Sequence, residues 1–159
     1  MRNADWRLRN VLNMINFSFN SATIMATNFE GMAPYIQVFD MPVSLGFYRD
    51  ILGFKITGSS GEGDDVDWVM LQLNDIVLML NTAYEKANRP AQPDIMRVTG
   101  HADITFYFGC RDTDALYTYL HDKGFNIKKP FITQYGWKAL NLTDPDGYRL
   151  CFHWPVDKS

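Results

Sequence analysis

The chain states one pattern twice, and that repetition narrows its possible folds more than any other feature. Asp40-Met41-Pro42 opens an amphipathic segment that stops at Gly53-Phe54-Lys55-Ile56. Asp112-Thr113-Asp114 opens another that stops at Gly124-Phe125-Asn126-Ile127. In each copy a strand-like run comes first (Ala33–Phe39, then Asp103–Cys110), and more strand-like sequence follows, closed by a tight turn. A supersecondary unit repeated at a near-constant offset marks a duplicated module. Two half-sheets, each too small to bury its own face, need one another and leave a concave space where they join. Function is expected at that seam.

Local signals support the division. Asp40 is a good N-cap, and Pro42 falls in the first turn, where its missing N–H costs nothing. Leu45, Phe47, Tyr48, Ile51 and Leu52 form an apolar stripe at helical spacing, and Gly53 supplies the positive φ that ends a helix. Phe54–Gly58 reads as extended, Ser59–Asp67 as a flexible acidic loop, and Trp68–Leu73 with Ile76–Leu80 as a hairpin about Asn74-Asp75. Asn81–Gly100, rich in Pro, Asn and Ala, reads as irregular. In the second copy a helix over Asp112–Lys123 carries Ala115, Leu116, Tyr119 and Leu120 on one face, and Phe125–Lys129 is extended. Trp137–Leu142 and Tyr148–Trp154 then form a hairpin around Asp144-Pro145-Asp146-Gly147. The expected architecture is α+β: two β-α-β-β-β modules, residues 32–82 and 101–155, joined by a linker over 83–100, with a curved mixed sheet around a cavity.

Composition sets outer limits. A chain of 159 residues, 47% hydrophobic and 14% aromatic, can bury one ordinary core. A net charge of −3 without a clustered Lys/Arg patch offers no footprint for nucleic acid. Two cysteines, Cys110 and Cys151, make no disulfide framework, so a reduced, cytoplasmic setting is the default. Residues 1–31 are expected to be a poorly ordered or loosely packed arm. Asn13, Asn16 and Asn20, with Ser18 and Ser21, interrupt any run long enough to span a bilayer, and no membrane partner is expected. A loose arm, or translation starting at Met25 or Met32, is preferred over a secretory signal.

Two stretches carry a family resemblance. Phe47-Tyr48-Arg49-Asp50-Ile51-Leu52-Gly53-Phe54 resembles the first-helix signature of the glyoxalase / bleomycin-resistance / extradiol-dioxygenase (vicinal oxygen chelate) superfamily. Asp144-Pro145-Asp146-Gly147-Tyr148 is similar to that family's last-hairpin motif. The resemblance runs from about Ala33 to Pro155 and implies the fold already expected. It also implies a homodimer.

For the metal-dependent lyases of the superfamily, the resemblance implies two inward-facing ligands per module, typically His or Gln and then Glu. The matching positions here are Ala33, Met79, Thr105 and Cys151. These four offer one hydroxyl, one thiol and one thioether, a poor set for a hard divalent ion, so neither a metal nor any other cofactor is expected. A substitute set is conceivable: Cys151 and His153, two apart on one strand, with His101 and Asp103 recruited from the face of Thr105. His121 reads as a solvated helix residue.

Without a metal, the chain resembles the bleomycin-resistance branch, where Gln134-Tyr135-Gly136-Trp137 is similar to an aromatic-Gly element before the closing hairpin. Strand parity then proposes what lines the seam: Tyr35, Gln37, Met79 and Asn81 from the first module, and Asp103, Thr105, Tyr107, Arg149, Cys151 and His153 from the second, with Tyr135 and Trp137 at the rim. For Tyr35 and Tyr107, core packing competes evenly with a ligand role, whereas Phe47, Tyr48 and Phe54 read as core. The expectation is a metal-free binding protein that holds a planar or cationic organic ligand among aromatic side chains, the acidic loop Glu62–Asp67 biasing the entrance toward cations. The competing reading is an enzyme of the same superfamily, a lyase (lactoylglutathione-lyase-like), isomerase or dioxygenase with a non-standard site. Asp103, His153, Cys151 and the tyrosines are its available acids, bases and nucleophiles.

Overall fold

The computed structural model describes residues 31–156, so almost all of the expected arm over residues 1–31 lies outside the described residues. Both modules lie within one compact unit that begins at Met32. The first runs β1 (Tyr35–Val38), α1 (Met41–Leu45, continued by a wider turn over Gly46–Ile51), β2 (Lys55–Ser59), β3 (Trp68–Leu73) and β4 (Ile76–Thr82). After a connection containing α2 (Ile95–His101), the second runs β5 (Thr105–Gly109), α3 (Thr113–Asp122), β6 (Phe131–Ile132), β7 (Trp137–Thr143) and β8 (Arg149–Pro155). Among the described residues, no helix is long and apolar enough to cross a membrane.

The strands form two separate four-stranded sheets, β1-β4-β3-β2 and β5-β8-β7-β6, rather than one continuous sheet. In each, the opening strand runs parallel to the last strand of its module and the other pairs are antiparallel. Tyr35 pairs with Met79 and Tyr107 pairs with Cys151, an identical separation along the chain. The duplication therefore extends to the hydrogen-bond register.

Caps make the helices where the sequence places them. The Asp40 side chain accepts a hydrogen bond from Val43 N, and that of Asp112 accepts one from Ala115 N. Gly53 (φ 84°) and Gly124 (φ 89°) end them. The first helix departs from a plain α-helix: Leu52 N donates to Phe47 O five residues back, and the widened turn turns both Phe47 and Tyr48 into the core.

Three expectations need correcting. The region expected to be irregular contains α2, capped by Asp94, whose side chain accepts from Met96 N. The opening strand of the second module starts at Thr105, because Ala102, Asp103 and Ile104 turn off the end of α2 and donate back to Thr99, Gly100 and His101. The run Phe125–Lys129 is not a strand. Ile127 N donates to Phe125 O, folding the chain back, and pairing begins only at Phe131, after Pro130.

Ile36, Val38, Leu78 and Leu80 of the first sheet, with Leu140, Leu142, Leu150 and Phe152 of the second, point toward the helices and share one core. Polar bolts cross between the modules within it. Tyr48 Oη donates to Asp144 Oδ2 at 2.8 Å, and Ser44 Oγ donates to Asp146 Oδ2 at 2.8 Å. Phe39 N donates to Asp146 Oδ1 at 2.6 Å. Burial raises the Asp144 carboxyl to about 6, and it raises that of Asp146 as well. The closing turn tolerates only glycine at 147: φ is 93°, and a Cβ there would sit 2.6 Å from the carbonyl oxygen of Val98.

Candidate ligand-binding face

With the apolar faces turned inward, each sheet is left with a second, open face. On the second sheet the register aligns Thr105 with Arg149, Tyr107 with Cys151, and Ala139 with His153 on that face. Tyr107 is 69% exposed, whereas Cys151 is 8% exposed, buried beneath its neighbours. The His153 ring stands edge-on to Tyr107 (centroids 5.3 Å, planes at 87°) and leans over Trp137 at 4.7 Å. Tyr135 projects beside them from the β6–β7 turn, which Gly136 closes by donating to Thr133 O at 3.0 Å with φ of 76°. Tyr107, Tyr135, Trp137, Cys151 and His153 border one hollow of about 410 Å³.

A second groove, of about 640 Å³, adjoins it and shares Tyr107, Phe131, Asn141 and Cys151. Its other walls include Thr105, Arg149 and the loop carrying Asn126, Lys128 and Lys129. That loop borders a groove because β6, the edge strand of the second sheet, is so short. Sequence reasoning did not place Asn126, Lys128, Lys129, Phe131 or Asn141 at the site. Asn141 was recoverable by parity from Trp137 along β7; the loop residues gave no local signal.

The structure does not bring all the expected residues together. Tyr35, Met79 and Asn81 sit on the open face of the first sheet, where Tyr35 is 52% exposed and Asn81 Nδ2 donates to Thr82 O. Gln37 is engaged at the inter-module contact: its Oε1 accepts from Arg97 Nη2 at 2.6 Å, and its carbonyl accepts from Tyr148 Oη. Asp103 is exposed in the turn after α2 and borders neither groove. The acidic loop lies against the first helix. Arg49 holds Asp64, Lys86 holds Asp65, and both carboxyls are pushed below the usual range by those partners. Its charges therefore do not line the second sheet's grooves.

The donors do not suit a metal. Ala33 precedes β1, Met79 lies on the other sheet from Thr105 and Cys151, and among the described residues no three His, Cys, Asp or Glu side chains converge. The substitute set fails as well. His101 turns Nδ1 to Asp146 O at 2.7 Å and stacks on Tyr148 at 4.1 Å, away from Cys151. Acid–base or nucleophilic chemistry is poorly provided for. Burial pushes the Cys151 thiol upward, which favours the unreactive protonated form, and no described carboxylate borders either groove. His121 is exposed on α3.

Solved structures place this arrangement among known folds. A bleomycin resistance determinant encoded on the transposon Tn5 superposes with a TM-score of 0.58 at 19% identity, covering 81% of this chain and 100% of its own. TioX from Micromonospora sp. ML1 superposes with a TM-score of 0.62 at 12% identity, covering 80% and 100%. Lactoylglutathione lyase from Agrobacterium tumefaciens does so with a TM-score of 0.56 at 14% identity, covering 79% and 94%. At these identities the likeness establishes the fold alone. No curated protein sequence matches significantly. The model of the Glyoxalase/Bleomycin resistance protein/Dioxygenase superfamily, however, matches residues 25–152, and with the duplicated β-α-β-β-β register beside it the chain belongs to that superfamily.

Proposed function

We propose that this protein is a metal-free small-molecule binding protein that holds a planar organic ligand on the open face of its second sheet. The observation that carries the reading is the cluster of Tyr107, Trp137 and His153 over buried Cys151, a partly exposed aromatic surface with no metal-ligating group of three beside it among the described residues. Aromatic side chains left partly exposed suit stacking against a flat ring, at ~0.5–1.5 kcal/mol per pair beyond burial. A cytoplasmic homodimer completes the proposal. Tyr35, Tyr107, Phe131 and Tyr135 leave apolar surface on or beside the open faces that a second copy would cover.

Elemental analysis of the purified protein, together with titration by the uncharged planar dye N-phenyl-1-naphthylamine, tests the reading. Metal-free protein with saturable dye binding, weakened by Trp137→Ala, is the expected result. Stoichiometric zinc, nickel or iron that is lost in Cys151→Ala would overturn it in favour of an enzyme. For the assembly, light scattering at micromolar concentration should return twice the chain mass of 18.3 kDa; a single-chain mass would defeat the dimer.

A further inference from the structure

Resting on that reading, we infer that the ligand carries an anionic group, seated at the groove end of the aromatic hollow by Lys128, Lys129 and Arg149. The two depressions are one surface, because Tyr107, Phe131, Asn141 and Cys151 border both. Their chemistry is polarised. The hollow is aromatic, with Trp137, Tyr135 and His153, while the groove carries all three cationic side chains and no Asp or Glu among its described walls. The protein as a whole is net negative, at −3, so a patch of one sign here runs against the bulk composition. Among the described residues, none of the three cations is ion-paired. Lys86, Arg49, Arg89 and Lys138, by contrast, each contact an aspartate. Unneutralised cations in a concave, partly apolar setting focus a positive field on whatever binds beside them.

The strand geometry sets a distance. Arg149, Cys151 and His153 share one face of β8, spaced by two residues each, so Arg149 lies about 7 Å from Cys151 and about 13 Å from His153 along the backbone. A ring stacked at Tyr107, above Cys151, therefore places a substituent within reach of the Arg149 guanidinium, whose fork suits a carboxylate, sulfonate or phosphate. Thr105, the residue paired with Arg149, adds a hydroxyl at that end, and Asn141, paired with Cys151, adds an amide. The ligand class is thus a planar aromatic anion, its ring on the Tyr107–Trp137–His153 surface and its charge over the Lys128-Lys129 loop.

Two dyes of nearly one shape separate this from the reading beneath it. N-phenyl-1-naphthylamine is uncharged, and 8-anilino-1-naphthalenesulfonate is the same ring system bearing a sulfonate. Fluorescence titration should show the sulfonate dye binding the wild-type protein roughly tenfold more tightly, a preference that shrinks with added salt. A K128Q/K129Q/R149Q variant should lose that preference while keeping its affinity for the uncharged dye and its melting temperature. Trp137→Ala should weaken both dyes. Equal affinity for the two dyes, or a preference untouched by the triple substitution, overturns the anion inference and leaves the aromatic-site reading standing. Failure of both dyes to bind, or binding unaffected by Trp137→Ala, removes the site and the anion inference together.

Discussion

The two modules share a backbone plan down to the pairing of Tyr35 with Met79 and Tyr107 with Cys151, yet their third elements differ. In the first sheet β2 pairs with β3 across four positions, Lys55 to Ser59 against Gln72 to Val69. In the second, β6 pairs with β7 at two, Phe131 with Ala139 and Ile132 with Lys138. The long strand closes its side of the sheet. The short one leaves Asn126–Lys129 as bare loop and opens a groove beneath it. A second contrast concerns the closing turns. The first module turns at Asn74-Asp75, exposed and with Asn74 at φ 53°. The second turns at Asp144–Gly147, whose two carboxylates are buried against the first module's helix. A duplicated unit has thus given one copy the anchoring role and the open groove, and left the other as frame.

That contrast predicts very unequal responses to matched substitutions. Asp144→Ala strands Tyr48 Oη and the N–H groups of Asp146 and Tyr148, so it should cost about 3–5 kcal/mol in urea unfolding. Asp75→Ala, at the exposed turn of the other module, should stay within ~0.5 kcal/mol. Equal costs would mean that the second turn is no anchor. Gly147→Ala should cost about 3 kcal/mol or more, since a positive φ and a collision with Val98 add together. Gly53→Ala also has a positive φ but open space around it, and it should cost about 1–2 kcal/mol.

Acidity should read out the same anchor. Asp144 has a folded-state pKa of about 6, above its ordinary 3.8, because burial disfavours the charge. Folding therefore favours the protonated form. The stabilisation this group provides is complete below about pH 3.8 and is lost as the pH rises through about 6. Between those limits wild-type stability should fall by about 2–3 kcal/mol more than that of Asp144→Asn, measured by urea titration at each pH. Parallel pH profiles for the two proteins would refute the assignment. The smallest effect separates the open faces. Tyr107→Ala should weaken binding of the sulfonate dye by about 1–2 kcal/mol, and Tyr35→Ala on the other sheet by clearly less. A larger loss at Tyr35 would move the site to the first sheet, or to a surface shared between two copies.

The parts of this fold that were legible in the sequence are those decided within a few residues. An Asp cap, an apolar stripe and a glycine stop specify each helix locally, and alternation within Arg149–His153 specifies which side chains share a face. What was not legible depends on distant partners. The widened turn in the first helix exists where Tyr48 reaches Asp144 across the module boundary, which no local propensity encodes. Helix α2 is short and has no buried residue, so it left no strong periodic stripe. The lysines of the groove gave no signal because a Lys-Lys-Pro stretch reads the same whether it covers a cavity or faces bulk water. In the sequence the two family motifs stand apart, one as a helix and the other as a turn. The structure shows that they are partners, Tyr48 of one hydrogen-bonded to Asp144 of the other.

The shortness of β6 has a consequence for how such a protein can change over generations. Residues 126–129 pair with no neighbouring strand, and among the described residues the single hydrogen bond made by the backbone N–H groups of this loop is the local one from Ile127 N to Phe125 O. Substitution, insertion or deletion there disturbs neither a ladder nor the buried carboxylates of the anchoring turn. Asn126, Lys128 and Lys129 are exposed and can therefore be randomised almost freely while the scaffold beneath stays constant; Ile127 between them packs against the core. A library built over Asn126, Lys128 and Lys129 should yield folded members at high frequency whose preferences for small molecules diverge, whereas the same diversity placed in Asp144–Gly147 should yield mostly aggregates.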